Sequence, residues 1–164
     1  MSDIKIIENC LSKENFNFIK ETIYSEYFAW YFNIGVNNKN DDNTQFTHTF
    51  YNHHKITSNL FDNLASIIQV LNPLSLIRIK SNLLLKTEKI REHGLHTDQQ
   101  YKSTTAIFYL NTNNGYTKFE DGKKIFSKEN KLVIFDSFLK HTGTTCTDKN
   151  ERIAINFNYI QKNT

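Results

Sequence analysis

This chain of 164 residues has little of several residue types, and each shortage narrows its class. It contains 2 cysteines, 1 proline and 5 glycines. Cys10 and Cys146 lie far apart, and neither belongs to a Cys-x-x-Cys unit, so we expect no disulfide framework and no thiolate zinc site. Both cysteines are therefore expected to be free thiols.

Long apolar runs and dense blocks of one charge are also missing. No stretch approaches the roughly 20 apolar residues that cross a bilayer, and residues 1–10 lack a basic segment followed by an apolar run. We therefore expect a cytoplasmic protein that does not enter a membrane. The 20 Lys and Arg residues are scattered among 17 Asp and Glu, which leaves a formal charge of +3 and predicts no nucleic-acid partner.

Two segments in the first half of the chain have helical periodicity. Apolar residues recur in steps of three and four from Ser12 to Tyr27, and Ser12 is placed as an N-cap. A second helical pattern runs from Ser58 to Leu71, and Pro73 is expected to end it.

The segment between these helices, Trp30 to His54, mixes aromatic residues with Asn, Asp and His and fits neither period. We predict loops with short strands here, and a polar surface loop at Asn37–Asn43. The aromatic residues have two interpretations. They belong to a loop that lines or covers a pocket, or they form core beneath the first helix.

After Pro73 the sequence becomes typical of β-structure. The dipeptides Asn114-Gly115 and Asp121-Gly122 supply residues that tolerate positive φ and so favour tight turns between antiparallel strands. Short segments rich in Ile, Leu, Phe and Tyr predict strands at Leu76–Leu85, Thr104–Leu110, Lys131–Phe135 and Arg152–Tyr159.

Helices followed by a run of short strands predict an α+β fold, and the strands must close on themselves to avoid exposed edges. We predict a double-stranded β-helix, that is, a jelly-roll or cupin-like core, with N-terminal helices packed on it. A chain of this length forms one domain. We expect that domain to span residues 1–164, with a helical part at about 1–73 and the jelly-roll core at about 74–160.

His96 and Asp98 are candidates for metal ligands because residues two apart on an extended strand project from the same face. His141, after the strand Lys131–Phe135, is the candidate third ligand. Two His and one Asp cover one face of an octahedron and leave three positions open, as in Fe(II) oxygenases. Taken singly, a His-x-Asp pair is usually a surface feature and a lone His a satisfied polar residue, so the prediction depends on the combination.

Arg152 is the candidate for binding an anion. From Arg152 to Tyr159 the chain alternates strictly, which places Arg152 on the face opposite the apolar residues. In an exposed sheet that face would simply be solvated. Close to a ligand histidine, however, the planar guanidinium can hold a carboxylate through two hydrogen bonds, as a dicarboxylate cosubstrate would require.

The order His96-x-Asp98, then His141, then Arg152 resembles the iron- and 2-oxoglutarate-dependent dioxygenases, in particular the prolyl 4-hydroxylase-like branch. The resemblance covers roughly residues 76–160. It implies that His96, Asp98 and His141 bind Fe(II) at the catalytic centre and that Arg152 pairs with the distal carboxylate of 2-oxoglutarate. The segments that carry it further are 106–111, 114–117, 131–135 and 152–155.

The same resemblance suggests further cosubstrate contacts and one departure. It implies that Tyr109 and Asn156 contact the distal carboxylate. Relatives often carry a tyrosine on the strand before His-x-Asp, where this chain has Leu84, which cannot donate a hydrogen bond. Asn82 is the candidate replacement. The spacing also implies an altered loop around Lys86–Glu92.

The implied activity is hydroxylation of an organic substrate with Fe(II), 2-oxoglutarate and O₂, with release of succinate and CO₂ and with ascorbate as an optional reductant. Asp98 favours hydroxylation, because related halogenases lack this carboxylate. The implied substrates are a peptidyl prolyl or other side chain, a free amino acid, or another small metabolite. Two alternatives stay open: a cupin-type metalloenzyme that does not use 2-oxoglutarate, and a non-catalytic jelly-roll binding module whose histidines are structural.

Overall fold

The structure, a computed structural model, describes residues 4–36 and 44–162, and the predicted loop at 37–43 lies outside them. The described chain is mostly β-structure with two short helices near its beginning, so the predicted helix-plus-jelly-roll architecture is confirmed. The strands are β1 (Lys5–Ile7), β2 (Tyr31–Ile34), β3 (Thr44–Asn52), β4 (Lys55–Ile56), β5 (Pro73–Leu85), β6 (Thr104–Tyr109), β7 (Tyr116–Phe119), β8 (Lys124–Phe126), β9 (Lys131–Asp136), β10 (His141–Gly143) and β11 (Glu151–Gln161).

The first predicted helix is present as α1 (Lys13–Tyr24). Ser12 is its N-cap, and the Oγ of Ser12 accepts a hydrogen bond from the backbone N–H of Asn15 at 3.3 Å. Tyr27 lies beyond the end of the helix and is exposed. The other apolar residues that recur in steps of three and four, Phe16, Ile19 and Ile23, are the ones that α1 buries.

The second helix is shorter than its sequence pattern and ends for a different reason. A 3₁₀ turn at Phe61–Leu64 leads into α2 (Ala65–Leu71). Asn72, at φ 45°, ends α2 in the left-handed conformation, and its N–H bonds the carbonyl of Ile68. This is a usual helix ending for Asn, so Asn72 stops the helix and Pro73 opens β5.

The strands form two antiparallel sheets. The larger sheet has the order β1-β9-β6-β11-β5-β3-β2, with β4 paired to β3, and the smaller sheet has the order β10-β7-β8. In the larger sheet β5 and β11 are the longest strands and pair along most of their length. One face of this strand pair packs against the helices, and the other lines the interior of the jelly roll.

Strand alternation divides the interior into two hydrophobic clusters. Ile155 and Phe157 of β11 pack with α1 and α2 in one cluster, whereas Ala154 belongs to a second cluster on the other face, with Ile107 and Val133. The predicted apolar face of β11 is thus confirmed as the surface that the helices cover. Its polar face turns toward the inside of the jelly roll, where the smaller sheet lies.

The segment between the helices differs from the prediction of loops and short strands, because β3 is nine residues long and pairs with β5. A register shift between Thr49 and Tyr51 breaks its alternation, and the polar residue His48 is buried, so neither period shows in the sequence. The core interpretation holds for Phe50, which is fully buried, whereas Tyr31 is exposed.

The two predicted glycine turns have different physical causes. Gly122 has φ 87°, as predicted. Gly115 has no positive φ, which corrects the prediction for Asn114-Gly115. A Cβ at position 115 would instead lie 2.7 Å from Cδ of Arg152, 2.8 Å from Oδ1 of Asn113 and 2.9 Å from the carbonyl oxygen of Thr145. Glycine is therefore required there by the close approach of these three groups.

Both cysteines are free thiols, as predicted. Burial raises the pKa of Cys10 to about 11, which keeps the thiol protonated near neutral pH. Among the described residues, no helix is both long and apolar enough to cross a membrane.

The packing of α1 on the larger sheet predicts a strong contrast between two neighbouring residues. Ile19 is fully buried and Phe18 is 53% exposed. We expect Ile19→Ala to lower the free energy of unfolding by about 2–5 kcal/mol, and Phe18→Ala to change it by about 0.5 kcal/mol or less. Urea unfolding followed by circular dichroism measures both, and equal losses in the two variants would contradict the orientation of α1.

Candidate metal centre

The three predicted metal ligands meet in space. His96 and Asp98 lie on the segment between β5 and β6, and His141 is the first residue of β10. The backbones of His96 and His141 exchange two hydrogen bonds of 3.0 Å, which places their ring centroids 4.7 Å apart. One ligand atom from each of the three side chains lies within 4.8 Å of the others. This spacing suits a single ion.

The orientation of the two rings leaves the same nitrogen of each available. Nε2 of His96 lies 3.6 Å from Oδ1 of Asp98, and Nε2 of His141 lies 4.0 Å from the same oxygen. Nδ1 of His96 contacts the carbonyl of Gly94 at 3.3 Å, and Nδ1 of His141 contacts the carbonyl of Leu139 at 2.9 Å. A carbonyl oxygen only accepts, so each Nδ1–H donates. In the neutral form of each ring the lone pair of Nε2 therefore faces Asp98.

Asp98 is held by one oxygen and presents the other. Its side chain is 4% exposed, and Oδ2 accepts hydrogen bonds from Thr105 at 3.0 Å and from Asn158 at 2.9 Å. Oδ1 faces the two imidazoles, with a guanidinium nitrogen of Arg78 at 3.7 Å. Nε of Arg78 also donates to Oδ1 of Asn158 at 3.1 Å, which orients the amide that holds the carboxylate.

The pKa shifts of Asp98 and His141 both favour the forms that bind a metal ion. Burial disfavours the charged form of Asp98, but the neighbouring rings of His96 and His141, the Asn158 amide and Arg78 hold its pKa well below the usual range. Burial lowers the pKa of His141, against the attraction of Asp98. A carboxylate and neutral imidazoles are the forms that bind a cation.

The triad opens into a cavity of about 280 Å³. Two antiparallel strands of the larger sheet contribute alternate residues to its lining, and across them Arg152 pairs with Leu84, Ala154 with Asn82, and Asn156 with Lys80. Leu84, where the resemblance would place a tyrosine, is thus buried beside Arg152. Asn82 and Asn156 line the cavity, and their contacts with a cosubstrate stay predictions.

Arg152 is a buried cation without a carboxylate partner among the described residues. Its Nε donates to Oγ of Ser127 at 2.7 Å, and one terminal nitrogen lies 3.4 Å from Oγ1 of Thr117. Neither hydroxyl carries charge, so the positive charge is oriented but not neutralised. An anionic ligand at this end of the cavity would supply the missing charge.

Tyr109 supports Arg152 from outside the cavity lining. The guanidinium carbon lies 5.4 Å from the centre of the Tyr109 ring, and the Tyr109 hydroxyl donates to Thr117 at 2.7 Å. Thr117 itself lines the cavity. The structure therefore gives Tyr109 a positioning contact, and its predicted direct contact with a cosubstrate stays a prediction.

Sequence reasoning missed the residues that orient Asp98 and the two cations that share the cavity with Arg152. The sequence analysis gave no role to Thr105, Asn158, Arg78 or Lys80, although the alternation from Arg152 to Tyr159 also places Asn158 on the face of Arg152. Arg78 and Lys80 alternate with the buried residue Ile79, which is the signal that would have shown a polar face on β5.

The overall structure is similar to several solved oxygenases, although no family model and no curated protein match the sequence. An oxidoreductase of the 2OG-Fe(II) oxygenase family from Burkholderia pseudomallei has a TM-score of 0.71 at 10% identity, over 98% of this chain and 86% of that one. A prolyl hydroxylase from Trichoplax adhaerens, in complex with a hypoxia inducible factor peptide, has a TM-score of 0.68 at 14% identity, over 97% and 84%. HygX from Streptomyces hygroscopicus, with nickel and 2-oxoglutarate bound, has a TM-score of 0.64 at 12% identity, over 98% and 84%.

This chain has the fold of the 2OG-Fe(II) oxygenases. The resemblance inferred from residues 76–160 therefore extends, as a fold, over nearly the whole chain. At these identities the likeness concerns the fold, and the chemistry depends on the side chains in the cavity.

The depressed pKa of Asp98 predicts how its contribution to stability varies with pH in the metal-free protein. Because the folded pKa lies below the unfolded value of about 3.9, the stabilisation is complete above that pH and is lost as the pH falls toward the folded pKa. We expect the difference in free energy of unfolding between wild type and Asp98→Asn to shrink as the pH is lowered from 7 to below about 4. Urea unfolding at a series of pH values measures it, and a constant difference would contradict the lowered pKa.

Proposed function

We propose that the protein is an Fe(II)- and 2-oxoglutarate-dependent dioxygenase that hydroxylates an organic substrate. The observation that carries the proposal is that one cavity contains both a cation-binding site and an anion-binding site. One is the triad His96, Asp98 and His141, and the other is the buried guanidinium of Arg152, which has no carboxylate partner among the described residues.

The donor set fits Fe(II). Two imidazole nitrogens and one carboxylate oxygen form the facial arrangement that non-haem Fe(II) oxygenases use. The available Nε2 atoms face Oδ1 of Asp98, which accepts none of the hydrogen bonds that hold the carboxylate. A structural set of histidines does not require this arrangement. When bound, the iron supplies open coordination positions at which 2-oxoglutarate and O₂ react.

Arg152 is proposed to bind the distal carboxylate of 2-oxoglutarate. Ser127 and Thr117 orient the guanidinium, and the rigid fork matches a carboxylate through two hydrogen bonds. Asn82 and Asn156, on the cavity lining between Arg152 and the level of Asp98, are proposed as further contacts. The bound nickel and 2-oxoglutarate in HygX show that a protein of this fold accommodates both groups.

The remaining cavity residues are proposed to orient the substrate and keep water away from the reacting groups. Leu84, Ile107 and Ala154 give the lining an apolar part beside its charged groups. The products would be the hydroxylated substrate, succinate and CO₂. The Trichoplax neighbour binds a peptide, and we propose a small molecule or a peptide as the substrate class here.

The same residues distinguish the dioxygenase from the two alternatives, the cupin-type enzyme and the binding module. A cupin-type enzyme that does not use 2-oxoglutarate has no need for a buried arginine without a carboxylate partner. A non-catalytic binding module has no need for two imidazoles whose Nε2 atoms converge on a buried carboxylate. The dioxygenase accounts for both features.

The metal assignment is tested by anaerobic titration. We expect Fe(II) followed by 2-oxoglutarate to produce a charge-transfer absorption in the visible range. His96→Ala and His141→Ala should each abolish it, because each removes one of three ligands. The matched control is His54→Asn, at an exposed histidine in the turn after β3 whose positive φ Asn tolerates. Absence of the band in wild type, or its persistence in His96→Ala, would rule out the assignment.

The cosubstrate assignment is tested by Arg152→Lys, which keeps the charge and loses the planar fork. A hydrogen bond to a charged group contributes about 1.5–3 kcal/mol, so we expect the KM for 2-oxoglutarate to rise roughly 10- to 150-fold. Succinate release measures it, and circular dichroism checks that the variant is folded. The control is Arg91→Lys, at an exposed arginine outside the cavity lining. An unchanged requirement for 2-oxoglutarate in Arg152→Lys would favour the cupin-type alternative.

A further inference from the structure

Two cationic side chains of the cavity make no direct contact with iron or 2-oxoglutarate in the proposed binding mode. Arg78 and Lys80 project from alternate positions of β5 into the same cavity as the triad and Arg152. Asp98 is the one carboxylate among the described residues of that lining. The described part of the lining therefore holds more positive than negative side chains close to the place of reaction.

The excess persists when the proposed cofactors are bound. A divalent cation and a dicarboxylate cancel each other's charge, and Asp98 offsets one of the three cationic side chains. Among the described lining residues, two positive charges then remain in a partly buried space, where a charge without a counter-ion is costly. A neutral substrate would leave both of them uncompensated.

The cost of an uncompensated charge is greater for Lys80 than for Arg78. Its ammonium forms no hydrogen bond or ion pair with another described residue, although the side chain is largely buried. Burial, followed by repulsion from Arg78, lowers the pKa of Lys80 to about 8, while attraction by Asp98 opposes the shift. The ammonium is thus still mostly charged at neutral pH, and its donors have no acceptor within residues 4–36 and 44–162.

Arg78 is only partly satisfied. It donates Nε to Asn158 and has one terminal nitrogen 3.7 Å from Asp98. A guanidinium has five N–H donors, so several remain after these contacts. The partial pairing with Asp98 fixes Arg78 at the level of the metal triad.

Resting on the proposed dioxygenase function, we propose that Lys80 and Arg78 form an anion subsite beside the metal centre, and that the substrate is a small molecule carrying a carboxylate. Two residues along a strand span about 7 Å, so an anion at Lys80 lies within a few bond lengths of the level of Asp98. A molecule of amino-acid size would place an aliphatic carbon at the triad while its carboxylate contacts the subsite. An internal residue of a peptide has no free α-carboxylate, because that group is part of the next peptide bond.

The experiment compares acids with their own amides. Protein loaded anaerobically with Fe(II) and 2-oxoglutarate is titrated by calorimetry with the L-amino acids and with small aliphatic carboxylic acids, each beside its primary amide. We expect the acid that binds most tightly to bind at least about tenfold more tightly than its amide, since a charge-assisted hydrogen bond is lost in the amide. Phosphomonoesters are titrated as the competing anion class.

Variants assign the preference to the subsite. We expect Lys80→Met to weaken binding of that acid by about tenfold or more, to leave its amide unaffected, and to leave the affinity for 2-oxoglutarate unchanged. Lys80→Arg, which keeps the charge, should retain the preference for the acid. The matched control is Lys55→Met, at an exposed lysine on β4 of the same sheet. Thermal melts followed by circular dichroism verify folding of each variant.

Several results would overturn the subsite. These are equal affinities for all acids and amides, tighter binding of a phosphomonoester than of every carboxylate, or a loss in Lys80→Met that falls on 2-oxoglutarate instead of the acid. If wild-type protein fails to bind 2-oxoglutarate at all, the proposed function is wrong. The acid and amide titration of the protein with metal alone then decides the anion subsite separately.

Discussion

The two backbone hydrogen bonds that His96 and His141 exchange are the contact on which the rest of the site depends. His141 begins a strand of the smaller sheet, whereas His96 belongs to the connection between two strands of the larger one. Their pairing joins the two sheets at the mouth of the jelly roll. It also fixes the distance between the imidazoles through the backbone, so the spacing does not rely on flexible side chains.

Around this contact the structure keeps several charges away from water, and the way each is compensated differs. Oδ2 of Asp98 accepts hydrogen bonds from neighbouring side chains, and Oδ1 faces the two imidazoles. Arg152 is oriented by neutral hydroxyls and has no carboxylate partner among the described residues, and Lys80 has neither hydrogen bond nor ion pair there. Buried charges that contribute so little to stability are typical of functional sites, where a ligand completes the compensation.

Much of the fold was predictable because the relevant signals are local. The stripe of α1, its cap at Ser12, and the alternation from Arg152 to Tyr159 each depend on a few neighbouring residues. The length of β3 was not predictable, because its register shift after Thr49 interrupts the period on which strand prediction relies. The role of Gly115 was misjudged for a related reason. Glycine is required at this position because Arg152 and the backbone of Thr145, both distant in sequence, approach it closely, and not because of the conformation of its own turn.

The sequence by itself determined which chemical groups are available and on which face of a strand they lie. His96, Asp98, His141 and Arg152 could be selected in this way, because residue type and period are properties of a short segment. Only the tertiary structure decided that Asn158 and Arg78 hold Asp98, and that Lys80 shares its cavity. These contacts arise from the pairing of β5 with β11, and the register of strands far apart in the chain follows from the packing of the whole protein.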